Sequence, residues 1–163
     1  MYPVWNGGGT VKVVFCTSGF KSPDSEFVDK VQEILDPVPY HQKGVGVAPI
    51  GHYVTVAGVT EKTINIKAKI SVKSGFVLSD IKPKVTEAIN DYLKELNRGW
   101  KNTQTISVNE FTNIGLIIRV SKIESCILDV TGVLDVEETT INGSKQNLQL
   151  GVDEFVKLGE ADV

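Results

Sequence analysis

The sequence predicts an α+β protein: a small βαβ-like N-terminal unit, then an α+β unit with a mixed sheet covered by two helices. Three stretches carry that prediction. Thr10 to Cys16 (Thr-Val-Lys-Val-Val-Phe-Cys) is a β-branched run whose alternation becomes fully apolar, as a buried strand does. Lys62 to Lys73 puts Ile64, Ile66, Ala68, Ile70 and Val72 on one face and polar residues on the other, the pattern of a half-buried strand. The last third, from Ser121 on, reads as a short helix, a Gly-Val exit into a strand, an Asn142-Gly143 turn and a final edge strand.

After the first strand, Ser22 is the expected helix N-cap and Pro23 the first helical residue, where the missing N–H costs nothing. Phe27, Val28, Val31, Ile34 and Leu35 form the apolar stripe of that helix, and Pro37 stops it. Val38 to Gly51 is a loop punctuated by Pro and Gly that returns the chain to a strand at Tyr53 to Ala57. The break at Gly58-Val-Thr-Glu61 then separates a unit of residues 1–58 from a C-terminal domain of residues 59–163. In the second unit Ser79 is the expected cap of a helix carrying Ile81, Val85, Ala88, Ile89, Leu93 and Leu96, which closes near Arg98-Gly99 and covers the sheet. Residues 97–113 fit no regular pattern and read as an insertion, with Thr103 to Val108 a strand candidate and Asn109 to Ile114 a turn or helical turn. Leu116 to Val120 is a short strand, and Ser121 with Glu124 makes a capping box for a helix that buries Ile123, Ile127 and Val130 and ends at Gly132. Val133 to Val136, the segments flanking Asn142-Gly143, and Glu154 to Gly159 complete a meander of short strands.

Composition narrows the function. The 163 residues, 41% hydrophobic and 23% charged, suffice for one ordinary core or two small ones in a soluble globular protein. A net charge of −3, scattered lysines and only two arginines, Arg98 and Arg119, argue against nucleic acid as a partner. No run approaches the roughly 18 apolar residues of a membrane span, and the first residues lack signal-peptide character, so cytoplasmic folding is expected. Cys16 and Cys126 lie in separate apolar segments without Cys or His at ligand spacing and read as buried free thiols.

Catalytic vocabulary is missing. Gly7-Gly-Gly9 precedes a strand, whereas a phosphate cradle follows one and opens a helix. Gly44-Val-Gly lacks the third glycine and the helix start of a dinucleotide site. His41 and His52 are the only histidines, neither with an adjacent carboxylate, and read as surface or turn residues. Asp129, Asp135, Glu137, Glu138, Asp153 and Glu154 match no calcium-loop spacing and read as a solvated acidic face. Neither an enzyme nor a cofactor or metal site is expected. The residues left over are aromatics in loops or at element ends, Tyr2, Trp5, Tyr40, Trp100 and Phe111, which are the candidate interface anchors.

The order of these pieces resembles the C-terminal half of baseplate J-like proteins, wedge components of contractile phage tails, tail-like bacteriocins and prophages. The residues that carry the resemblance are Gly9-Thr-Val-Lys-Val-Val, Ala48-Pro-Ile-Gly51 with Tyr53-Val-Thr-Val, Asp91-Tyr-Leu, Arg119-Val-Ser-Lys-Ile, Ile127-Leu-Asp-Val-Thr-Gly-Val, Ile141-Asn-Gly, Gln146-Asn-Leu and Phe155-Val-Lys-Leu-Gly. It spans roughly residues 9 to 160. The resemblance implies a structural baseplate component that binds other baseplate or tail proteins, assembled in the host bacterial cytoplasm, without catalysis. Members of that family carry a further N-terminal half, which implies that this chain starts at the last strand of a preceding domain. The strand at Thr10 to Cys16 would then be an open edge through which copies self-associate weakly. The rival expectation is a carbohydrate- or cell-surface-binding module that stacks sugars on Tyr40 and Trp100.

Overall fold

The computed structural model describes residues 2–3, 5–102, 104–106, 111–113 and 115–163, with side chains outside 1–4 and 101–114. It divides into two compact units, Met1–Thr60 and Glu61–Val163, and the fold class is α+β.

In the first unit, β1 (Tyr2–Pro3), β2 (Thr10–Phe15) and β3 (Tyr53–Gly58) form a sheet in the order β1-β2-β3. β2 and β3 run parallel, from Thr10↔Tyr53 to Phe15↔Gly58, joined through α1 (Ser25–Leu35). That is the βαβ unit the sequence predicts. β2 is therefore the middle strand: β3 pairs its whole length and β1 pairs Val11 and Lys12 from the other side. Among the described residues, the fully open edge expected at residues 10–16 shrinks to one side of Val13–Phe15.

α1 starts later than expected. Its N-cap is Asp24, not Ser22, and the Asp24 carboxylate accepts from the Phe27 N–H at 2.8 Å. A carboxylate caps as well as a hydroxyl and also answers the positive end of the helix dipole. Pro23 precedes the cap. The helix stops where Pro37 requires, with Asp36 as C-cap. None of its residues is fully buried, because α1 packs on β3, at the margin of a three-stranded sheet. Phe27 meets Phe15 edge-on at 5.4 Å.

The second unit is built on β4 (Thr60–Val72), the centre of a sheet ordered β10-β4-β8, with β8 at Val133–Ile141 and β10 at Glu154–Asp162. The period-two reading holds: Ile64, Ile66 and Ala68 are buried while Thr63, Asn65, Lys67 and Lys69 are exposed. α2 (Leu78–Arg98) packs against β10 and against α3 (Val120–Leu128), and α3 packs against β8. Ile81, Val85, Ile89 and Leu93 of α2 and Ile123 and Ile127 of α3 are at most 2% exposed; each such side chain contributes about 1.5–3 kcal/mol by leaving water. β4 and β8 are antiparallel. Between Thr140↔Lys67 and Glu137↔Lys69 two residues, Glu138 and Thr139, face Ala68, and this bulge puts Glu138 at φ 55°.

Both expected caps in this unit are displaced. α2 has Val77 at its N-cap with no side-chain bond, and Ser79 lies inside the helix. α3 begins at Val120 with Arg119 at the cap, so the Ser121–Glu124 box does not form. The Val120 N–H instead donates to Asn147 Oδ1 at 3.1 Å, a partner 27 positions away. A local cap is worth about 1 kcal/mol, less than the burial of one aliphatic side chain, so packing sets the start of each helix. Gly132 ends the α3 segment at φ 101°, as expected. Asn142 (φ 51°) and Gly143 (φ 79°) form the tight turn, closed by the Ile141–Ser144 backbone bonds. The chain does not return along β8 as a meander would. β9 (Leu148–Gln149) instead pairs with β7 (Ile117–Ile118). Within the irregular stretch, β5 (Gln104–Ile106) and β6 (Phe111–Asn113) pair antiparallel. Phe111–Asn113, expected within a turn or helical turn, are thus strand, while Gln104–Ile106 fall in the expected strand; Thr103, residues 107–110 and Ile114 lie outside the described residues.

Candidate functional site

The first unit presents an apolar loop face held by a buried polar knot. Asp36, 2% exposed, accepts from the Val54 N–H at 2.9 Å, the Gln42 N–H at 3.2 Å and His41 Nδ1 at 2.7 Å. Burial works to raise its pKa, yet the Val54 N–H, the His41 bond, the Gln42 N–H and the His41 charge together hold the carboxyl below its ordinary value. Gln32 completes the knot: its amide donates to Asp36 O at 2.7 Å and Val54 O at 3.0 Å and accepts from the Val56 N–H at 2.8 Å. Gln32 and Asp36 thus occupy the outer hydrogen-bonding edge of β3 as a neighbouring strand would. His41 stacks on Tyr53 with centroids 4.2 Å apart. The expectation that His41 has no carboxylate neighbour is corrected, because the turn after α1 folds it back onto Asp36, five residues earlier.

This anchoring gives residues 37–52 a defined conformation. Val47 N and Ala48 N donate to Ile34 O and Leu35 O, capping the last carbonyls of α1, and Gly51 N donates to Gln42 O. Gly46 is required there, since a Cβ would lie 2.8 Å from Ile34 O. The loop exposes Val38, Tyr40, Val45, Val47 and Ile50, continuous with Ile34 on the helix; Val47 is 71% and Ile50 78% exposed. Lys43 Nζ lies 5.5 Å from the Tyr40 ring centroid.

Of the predicted anchors, Tyr40 and Trp5 are exposed, with Lys12 Nζ 5.6 Å from the Trp5 ring. Trp100 is half-buried against the second unit: its ring meets Phe155 edge-on at 5.2 Å, and its Nε1–H donates to Val152 O at 2.9 Å. The side chains of Tyr2 and Phe111 lie outside the described residues. The aliphatic members of the loop face are not among the predicted anchors, although Gly44-Val-Gly-Val-Ala-Pro-Ile shows them: apolar residues among Gly and Pro, with no helix or strand period to bury them.

A depression of about 400 Å³ opens on the second unit, lined by Asn65, Ile66, Lys67, Thr140, Asn142, Gly143, Glu160 and Asp162. Its groups bind one another. Lys67 pairs with Asp162 at 2.9 Å, Asn65 Oδ1 accepts from the Glu160 N–H, and Asn142 Oδ1 from the Asn65 N–H. Cys16 and Cys126 are free and half-buried, and burial pushes both thiols above their ordinary pKa, away from the nucleophilic thiolate. Among the described residues, no group of three or more His, Cys, Asp or Glu could hold a metal ion, and no helix is long and apolar enough to cross a membrane.

Comparison with known proteins sets the class: a structural component of a phage-type tail baseplate. Residues 64–163 match the baseplate J-like protein C-terminal domain and residues 1–58 the baseplate J-like central domain. The chain belongs to the baseplate J-like family. Two similar proteins come from Bacillus subtilis strain 168: the phage-like element PBSX protein XkdT, 28% identical over 163 residues, and the uncharacterized protein YqbT, 30% identical over 166 residues. The matches cover all of this chain and 42% of each relative, so the chain spans less than half their length. Among solved structures, a chain of the six-fold symmetrised cryo-EM baseplate of the anti-feeding prophage shares the fold, with a TM-score of 0.56 and 8% identity. That match covers 98% of this chain and 31% of the other.

Proposed function

We propose that the chain is a non-catalytic assembly segment of its baseplate, assembled in the host bacterial cytoplasm, and that the loop face of the first unit binds another baseplate protein. The observation that carries the reading is the match of both units, in order, to two consecutive domains of a baseplate family. The apolar loop supports it: a rigid, exposed surface of this kind loses little conformational entropy on docking. Residues 1–58 and 59–163 act as separate modules in this reading. Self-association enters only as a weak contact at the unpaired side of Val13–Phe15. The rival sugar-stacking reading loses Trp100, whose ring and N–H are used internally.

Particle assembly tests the reading. In a host producing the tail-like particle, Val47→Asp and Ile50→Asp together are expected to cut the yield of intact particles seen by electron microscopy at least about ten-fold, while the purified protein keeps its melting temperature. Normal yield with both substitutions would remove the loop face from the assembly. Selective binding on a glycan array would favour the rival.

A further inference from the structure

The second unit carries an exposed apolar patch that neither the loop face nor the depression accounts for. Phe76 and Val77 precede α2, Leu78 is its first residue, Leu128 ends α3, and Leu134 is the second residue of β8; the exposures of Phe76, Val77, Leu78, Leu128 and Leu134 are 42%, 61%, 39%, 45% and 61%. The turn between α3 and β8, which separates Leu128 from Leu134, meets the connection that carries Phe76 and Val77. Lys73 N donates to Gly132 O at 2.8 Å, and a Cβ on Gly132 would come within 2.6 Å of the Phe76 ring, so the two connections are packed together. The five side chains expose on the order of 400 Å², in the range where the largest apolar patch of a monomer is often functional.

The charged residues next to these apolar ones in the chain have one sign in excess. Asp80, Asp129 and Asp135 are all exposed, each within two positions of one of the five apolar residues, against Lys73 alone on the β4–α2 connection. The next cation along α2, Lys82, acts on Asp162 of β10. An isologous pairing of two copies would set acidic rim against acidic rim, which like-charge repulsion penalises. A surface with aliphatic side chains inside a Lys/Arg rim would complement both features.

We infer that this end of the second unit is a docking surface for a different protein of the same particle, one that presents apolar side chains ringed by lysine or arginine. The inference rests on the assembly reading above and adds a second contact, on the other unit, with a stated partner chemistry. Such a contact is salt-sensitive at its rim and salt-insensitive at its centre.

Photo-crosslinking in assembling particles tests it. Leu134 and, separately, Leu128 are replaced by p-benzoylphenylalanine, cells are irradiated during particle production, and crosslinked peptides are identified by mass spectrometry. The expected product joins position 134 or 128 to one other tail protein, at a segment with Lys or Arg beside aliphatic residues. Asp129→Lys with Asp135→Lys should lower its yield at least about five-fold without changing the melting temperature. Crosslinks only to another copy of this chain, only to an acidic segment, or none in particles that contain the chain would overturn the inference and leave the assembly reading standing. Absence of the chain from purified particles would overturn both.

Discussion

Replacing Asp36 by Ala should strongly destabilise the first unit. The carboxylate accepts three hydrogen bonds, and their losses are unequal. The Val54 N–H sits on a buried strand residue and would be left unsatisfied, at about 1–3 kcal/mol. His41 would lose a bond to a charged acceptor, about 1.5 kcal/mol, whereas the exposed Gln42 N–H would rehydrate for about 0.5 kcal/mol. The sum is roughly 3–5 kcal/mol. A unit of some 60 residues holds about 3–9 kcal/mol in total at 0.05–0.15 kcal/mol per residue, so the substitution removes at least about a third of it. Asp36→Asn keeps an acceptor but not the charge and should cost about half as much. The two tryptophans fall one to each unit, so Trp5 fluorescence in a Trp100→Phe background reports the first unit during a denaturant titration. A change below about 0.5 kcal/mol in Asp36→Ala would show that the knot does not hold the unit together.

The same carboxylate gives a pH signature. Its folded pKa is depressed, so its contribution is fully present above the unfolded value of about 4 and drains away as pH falls through the folded one. The Trp5-reported denaturation midpoint should fall on acidification below about pH 4, and a slope unaltered in Asp36→Asn would assign the acid loss to other groups. At α3, Asn147→Ala should lower the unfolding midpoint of the second unit by about 0.5–1 kcal/mol while Ser121→Ala stays within 0.5; the reverse order would restore the local capping box. Asn97, buried with its amide on Val156 N and O, should cost about 2–3 kcal/mol on replacement by Ala, and calorimetry showing less than about 1 would refute that tie. Residues 59–163 expressed alone should melt cooperatively; a non-cooperative trace beside a cooperative full chain would misplace the boundary.

What the sequence makes legible depends on the range of the interaction responsible. β4 and α2 repeat their apolar residues at the strand and helix periods, and Gly132 and Asn142-Gly143 sit where only particular residues fit, so each could be read locally. The cap on α3 could not, because Asn147 reaches Val120 across the β8 turn. Nor could the pairing of β7 with β9, since two-residue strands carry no period. Aromatic chemistry alone could not separate Tyr40 from Trp100. One is exposed because the knot holds its loop outward, the other half-buried because Phe155 of β10 and Val152 of the turn before it reach it from later in the chain. The loop aliphatics stand in the sequence as Val and Ile among Gly and Pro, but Val and Ile are as common in cores as at surfaces, so residue type alone does not mark them as exposed.

The treatment of the strand margins bears on how such a chain can multiply its contacts. A bare β-edge accepts any extended segment, and the segment added offers a bare edge in turn, so growth by that route has no stopping point. Here Gln32 and Asp36 engage the outer backbone groups of β3, and Asn97 does the same for Val156 on β10. β8 carries a bulge with Asp135, Glu137 and Glu138 along it, and β1 is two residues long and contains Pro3. Away from the open side of Val13–Phe15, neighbours are then recognised by the pattern of their side chains. A patterned surface is used up once it is occupied, so a part made this way lends itself to an object with a countable number of pieces rather than to a fibre of indefinite length.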